Sequence, residues 1–97
     1  MAREALHIDP RDNVAVALKQ LSAQERVRVE MADGKAKEIL LTADIPFGHK
    51  FALERIPAGS EVIKYGEVMG KATRDIEPGE HVHTHNVESL RGRGDKG

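Results

Sequence analysis

The sequence predicts an all-β fold, a single domain of short, bent strands, and three observations predict it. One phrase is written three times in the middle of the chain: Ile45-Pro46-Phe47-Gly48, Ile56-Pro57-Ala58-Gly59 and Ile76-Glu77-Pro78-Gly79, each leading into a run of strand formers. Proline fixes one backbone angle and glycine permits a sharp reversal, so each copy is a turn that feeds a strand. Elsewhere, apolar residues alternate or run in short valine-rich blocks, which suit strands. Helical periodicity is nowhere sustained.

In chain order, Glu4-Ala5-Leu6-His7-Ile8 is a short strand, ended by the turn formers of Asp9-Pro10-Arg11-Asp12-Asn13. Val14-Ala15-Val16-Ala17-Leu18 is apolar throughout and reads as a buried, central strand. Lys19 to Gln24 is a polar linker or one helical turn. Val27, Val29 and Met31 alternate with Arg26, Arg28 and Glu30, the pattern of a half-buried strand. Asp33-Gly34 reverses it, and Glu38-Ile39-Leu40-Leu41-Thr42 returns as the hairpin partner. Further strands are expected at His49 to Leu53, Glu61 to Ile63, Val68 to Ala72 and His81 to His85, with Gly66 and Gly70 marking bulges or bends. The domain is expected to span residues 1–87. The glycine- and charge-rich remainder, 88–97, is expected to be a disordered tail.

Composition narrows the partners. The chain has 97 residues, enough for one core and no second catalytic domain. A formal net charge of -1 provides no field for nucleic acid or a membrane surface. With no Trp, one Tyr and two Phe there is no base-stacking platform either. There is no cysteine, so any metal must be held by histidine, carboxylate or carbonyl. Met1-Ala2-Arg3-Glu4-Ala5-Leu6 lacks an apolar signal core and no stretch is long enough to span a bilayer, so the expected location is the cytoplasm.

His81-Val82-His83-Thr84-His85 is the sharpest chemical constellation. On a strand its three imidazoles share one face, roughly 6.5–7 Å apart along the chain, close enough for two to converge on a divalent ion. The plain alternative is a row of solvated histidines on an edge strand. His49-Lys50 follows the first Pro-x-Gly turn and combines a group that moves protons near neutral pH with a point charge for a carboxylate or phosphate. Lys64-Tyr65-Gly66-Glu67 adds a cation, a phenol and a carboxylate beside a flexible glycine. No phosphate-binding glycine loop is present, and Ser22, Ser60 and Ser89 lack the setting of a nucleophile.

These residues carry a family resemblance. Gly48-His49-Lys50-Phe51-Ala52-Leu53, Val62-Ile63-Lys64-Tyr65-Gly66-Glu67-Val68-Met69-Gly70, Ala72 to Ile76, and Gly79-Glu80-His81-Val82-His83-Thr84-His85-Asn86 resemble the SAF domain of the altronate/galactarate dehydratase family. Asp12-Asn13-Val14-Ala15-Val16-Ala17-Leu18 matches the family's opening. The resemblance implies a β-clip fold and β-elimination of water from a sugar acid to give a 2-keto-3-deoxy acid. It also implies an iron-type divalent metal (Fe2+, with Mn2+ as the alternative), held mainly by the larger part of the enzyme. Such chemistry requires a base, an electrophile and an acid. His49, Lys50, His83 and His85 are the catalytic candidates, and Asp12, Asn13, Lys64, Tyr65 and Asn86 the substrate-binding ones. His83 and His85 are the candidate metal ligands, and His49 is expected to matter far more than His7.

In altronate dehydratase the domain precedes a much larger catalytic region. The chain is therefore expected to be a small subunit that needs a separately encoded large catalytic subunit and self-associates without it. Two alternatives stand beside this. One is the small subunit of sulfolactate sulfo-lyase, which expels sulfite from a related carbanion. The other is a non-catalytic carbohydrate- or partner-binding module.

Overall fold

The computed structural model describes residues 3–89, and among them no helix occurs. Nine strands follow one another: β1 (Ala5–Leu6), β2 (Val14–Ala17), β3 (Arg26–Glu30), β4 (Ala36–Leu40), β5 (Lys50–Ala52), β6 (Glu61–Lys64), β7 (Glu67–Ala72), β8 (His81–Val82) and β9 (Val87–Ser89). They form one sheet ordered β4-β3-β1-β2-β5-β8 and a second ordered β6-β7-β9. Strands β2 and β5 separate the two halves of the core. Ala15, Ala17 and Phe51 pack into one apolar cluster while Val14 and Ala52 pack into the other. That two-sided burial is why Val14 to Ala17 shows no polar alternation.

The repeated phrase builds the bends. In each copy the isoleucine is buried and the turn closes behind it, from His49 N–H to Pro46 O, Ser60 N–H to Pro57 O and Glu80 N–H to Glu77 O. The glycines Gly48, Gly59 and Gly79 have φ of 83°, 85° and 85°, the left-handed third position of a type II turn. Each glycine N–H also donates to the alanine that ends a neighbouring strand: Gly48 to Ala17, Gly59 to Ala72, Gly79 to Ala52.

A fourth corner was not legible as such. Leu21-Ser22-Ala23-Gln24, within the stretch Lys19 to Gln24 expected as linker or helical turn, takes the same shape with Glu25: Leu21 is buried, Glu25 N–H donates to Ser22 O, and Gln24 adopts φ of 74°. The corners then bridge in pairs, Leu21 with Ile45 and Ile56 with Ile76. Asp44 caps the first pair at Ala23 N–H, and Asp75 caps the second at Ala58 N–H. The chain thus runs strand, corner, hairpin, corner, strand twice over, with β5 shared by both rounds. A non-glycine residue in the left-handed region costs about 1–2 kcal/mol, and glycine's extra chain entropy returns about 0.5–1 of it. Gln24→Gly is therefore expected to stabilise the chain by about 0.5–1 kcal/mol, read as a higher urea midpoint at unchanged slope.

Three expectations are corrected. The strand from His81 to His85 stops at Val82, because Asn86 N–H donates to His83 O and the Asn86 carboxamide accepts from His83 N–H, closing a turn over 83–86. The domain does not end at Val87: Glu88 and Ser89 belong to β9, which pairs with β7 through Gly70↔Ser89 and Lys71↔Glu88. A strand with one apolar residue shows no periodicity, and the close approach depends on Gly70, where a Cβ would overlap the Glu88 carbonyl oxygen. The rest of the expected tail, 90–97, lies outside the described residues. Gly66 marks no bulge; with Tyr65 (φ 57°) and its own φ of 74° it makes the two-residue turn between β6 and β7. The extra residue is Met69, since Ile63 pairs with Val68 and Val62 with Gly70.

Candidate functional site

The two corners that end in histidine deliver their imidazoles to the same place. β5 and β8 are antiparallel with Lys50 opposite Val82 and Phe51 opposite His81. One further step along this register sets His49 opposite His83, and His81 shares the face of His83 two residues away. The ring centroids of His49 and His83 lie 4.4 Å apart, those of His49 and His81 5.1 Å, and those of His81 and His83 5.5 Å. His85, though on the turn, tilts against His81 at 5.4 Å. His49 Nδ1 and His81 Nε2 are 2.9 Å apart, a hydrogen bond whose direction follows the tautomers. Ring nitrogens of His49, His81 and His83 all lie within 4.8 Å of one another.

Of this group the sequence marks His49, His83 and His85 individually and His81 only as a member of the row. Its signal was present, as the first residue of the His-x-His row. Its place is fixed by the pairing with Phe51, which the sequence does not display.

Burial chiefly, and then the neighbouring charges of His49, His85, His83 and Lys50, push His81 down to about 4 from its ordinary 6.5. His83 is lowered by desolvation first and then by His49, Lys50 and His85. Lys50, half-buried, is lowered by desolvation and by the charge of Lys64. The rim therefore keeps His81 neutral at physiological pH. Between about 4 and 6.5 the unfolded chain takes up a proton that folded His81 refuses, so its contribution to stability is complete above that window and is lost as pH falls through it. In metal-free protein the urea midpoint is expected to fall between pH 6.5 and 4, with a shallower fall in His81→Gln. Asp9 and Asp75, held below the ordinary 3.8 chiefly by hydrogen bonds from Arg11 and from Ala58 N–H, lose their contributions only at still lower pH.

A cavity of about 210 Å³ opens beside the imidazoles, lined by Lys50 and His83 with Val62, Met69, Thr84 and Val87 among its walls. The Lys64 ammonium sits 4.7 Å from the centroid of the exposed Tyr65 ring. Lys50 thus brings positive charge to the edge of the histidine cluster, while Lys64, whose charge reaches Lys50, stays with Tyr65 at the tip of the β6–β7 hairpin.

The structure gives three substrate-binding candidates other work. Asp12 is buried, and its carboxylate accepts from Gly66 N–H and Asp9 N–H. Asn13 clips β6, accepting from Ile63 N–H and donating to Glu61 O. Asn86 is wholly buried and holds the backbone of the first two histidines of the row, donating to His81 O and accepting from His83 N–H. It acts on the site through these residues. His7 is no bystander: it is buried, accepts from Ala32 N–H and lies 3.0 Å from Asp12 O.

Against known proteins, the family model described as the altronate/galactarate dehydratase SAF domain matches residues 3–90. Altronate dehydratase of Escherichia coli (strain K12) is 45% identical over 78 residues, 80% of this chain and 15% of that protein. The (2R)-sulfolactate sulfo-lyase subunit alpha of Paracoccus pantotrophus is 48% identical over 63 residues, 65% of this chain and 94% of that subunit. Galactarate dehydratase (L-threo-forming) of Escherichia coli (strain K12) is 43% identical over 68 residues, 70% of this chain and 12% of that protein. The chain spans a small fraction of the two dehydratases and nearly all of the alpha subunit. These relatives are named as two dehydratases and a sulfo-lyase subunit, and no helix among the described residues is long and apolar enough to cross a membrane. With four bent corners, a shared central strand and the matched span, the chain belongs to the altronate/galactarate dehydratase SAF domain family.

Proposed function

We propose that the chain is the small subunit of a cytoplasmic hydro-lyase of the altronate dehydratase type, working with a larger catalytic subunit to remove water from an aldonate. The observation that supports it most is the gathering of His49, His81 and His83, from two separate stretches of sequence, beside a cavity edged by Lys50. In the reaction a base takes the proton on the carbon next to the carboxylate. The electron pair left behind forms an enediolate and then expels the neighbouring hydroxyl, which leaves as water once protonated. The enol product becomes the 2-keto-3-deoxy acid.

A neutral imidazole accepts the first proton and an imidazolium returns one to the leaving group. His49, hydrogen-bonded to His81, is placed to do either, with His83 stacked against it. His85 is a more distant acid. Lys50 supplies the charge that draws a carboxylate toward the rim. An iron-type divalent ion, with Mn2+ as the alternative, belongs to the same proposal; when bound it stabilises the negative charge of the enediolate. The donors of this chain that fit such an ion are His49, His81 and His83; a ring spent on the ion cannot also take a proton, so His49 serves as acid or base where the large subunit holds the ion.

A second reading is favoured by one observation, the match across 94% of a sulfolactate sulfo-lyase alpha subunit. There the carbanion is formed in the same way and sulfite leaves instead of hydroxide. The test is to purify the chain with its large subunit and supply altronate and sulfolactate separately, assaying keto-deoxy acid and sulfite. Keto-deoxy acid supports the first reading, sulfite the second. Neither product, with a folded complex, would sink both and leave a binding module. Full turnover by the small chain alone would refute the subunit assignment.

A further inference from the structure

We infer that His49, His81 and His83 bind one first-row transition ion on this chain by itself, without partner or substrate. The inference goes beyond the lyase reading, since it concerns what the isolated fold holds. Two of the donors stand at ligand spacing: the 2.9 Å between His49 Nδ1 and His81 Nε2 is about the edge of an octahedral shell with bonds of about 2.1 Å. Each ring has to carry its proton on the other nitrogen and rotate so that both lone pairs meet at the ion. His83 is farther, within the 4.8 Å spread of the group, and its exposed side chain can swing inward.

The backbones beneath the three rings are fixed. Asn86 ties His81 O and His83 N–H, and His49 N–H closes its turn on Pro46 O. Side chains on a rigid frame lose less freedom when they converge on an ion. The donor set is three imidazoles and no carboxylate, which selects zinc, nickel, cobalt, copper or iron over magnesium and calcium.

The ligand pair expected from sequence spacing, His83 with His85, is replaced. An alternating strand would have put those two side by side, but the backbone turns after Val82, and His85 stands outside the set while His49 of β5's leading corner enters it. An ion held this way would join the start of β5 to the end of β8 and stabilise the fold in proportion to its binding.

The test uses the full chain, stripped with a chelator and titrated with Co2+ by calorimetry and visible absorption. Thermal melts are run with and without the ion. One Co2+ per chain, a rise in melting temperature and no response to Mg2+ are expected. His49→Ala, His81→Ala and His83→Ala should each weaken binding at least about tenfold, and His85→Ala less than about twofold. Far-UV dichroism of the stripped variants shows whether they fold, and His83→Gln serves as the conservative exposed variant. Absence of saturable binding by the wild-type chain, or equal losses from His85→Ala and His83→Ala, would overturn the inference. Lyase turnover is scored separately, so a chain that binds Co2+ yet restores no activity leaves the site standing and counts against the lyase reading alone.

Discussion

Gly79→Ala is expected to destabilise the chain by about 2–5 kcal/mol, a large share of the roughly 5–15 kcal/mol that holds a small domain together. Two costs combine. An L-residue at φ of 85° costs about 1–2 kcal/mol. The added Cβ would also overlap the Leu40 carbonyl oxygen and crowd the Leu41 backbone, which cannot step aside as a flexible side chain would. Overpacking of this kind costs about 1–3 kcal/mol. The approach is close because Thr42 N–H donates to Gly79 O at 3.0 Å, seating the Ile76–Gly79 corner on the end of β4.

Gly48 and Gly59 are the internal controls. Their φ values of 83° and 85° are the same, yet a Cβ at either would meet nothing within 4 Å. Gly59→Ala should therefore lose only the conformational cost. Urea melts of the pair measure the difference, and equal losses would show that the Leu40 contact carries none of the cost. The corner also leads directly into β8, so the damage reaches His81 before it reaches β2.

What was legible in the sequence follows from this construction. The three Pro/Gly corners declared themselves because proline and glycine are there for backbone reasons that hold in any context. Val27 to Met31 declared itself by alternation and Asp33-Gly34 by its turn chemistry, while the returning strand runs Ala36–Leu40 instead of the expected Glu38 to Thr42. The corner at Leu21 hid because Gln24 tolerates a conformation it does not advertise, its position secured by Leu21 N–H to Ile45 O and the Asp44 cap. β9 hid because its pairing is backbone against Gly70. Asp12, Asn13 and Asn86 have the side chains of binding residues, and only the structure shows those groups spent on backbone partners. The histidine row was visible, but its geometry was not, since the register of β5 against β8 is a tertiary fact.

In the complex with the large subunit, His49→Ala is expected to lower kcat/KM by about 10²–10⁴, the usual worth of a positioned acid or base. The fold should barely notice. The His49 ring makes no hydrogen bond to backbone, its N–H and C=O keep their bonds to Pro46 and Ala17, and the side chain is only half-buried. The loss should fall on kcat, because carboxylate attraction resides in Lys50, which the substitution leaves in place. Lys50→Ala should show the reverse, raising KM more than it lowers kcat. His7→Ala makes a poor comparison, since it removes a buried acceptor from Ala32 N–H and is expected to cost about 1–3 kcal/mol of stability. The proper control is exposed Lys35, at the far tip of the β3–β4 hairpin. Were His49→Ala to turn over like Lys35→Ala in a complex of unchanged melting temperature, the imidazoles would belong to the architecture of the rim and the proton transfers to the partner.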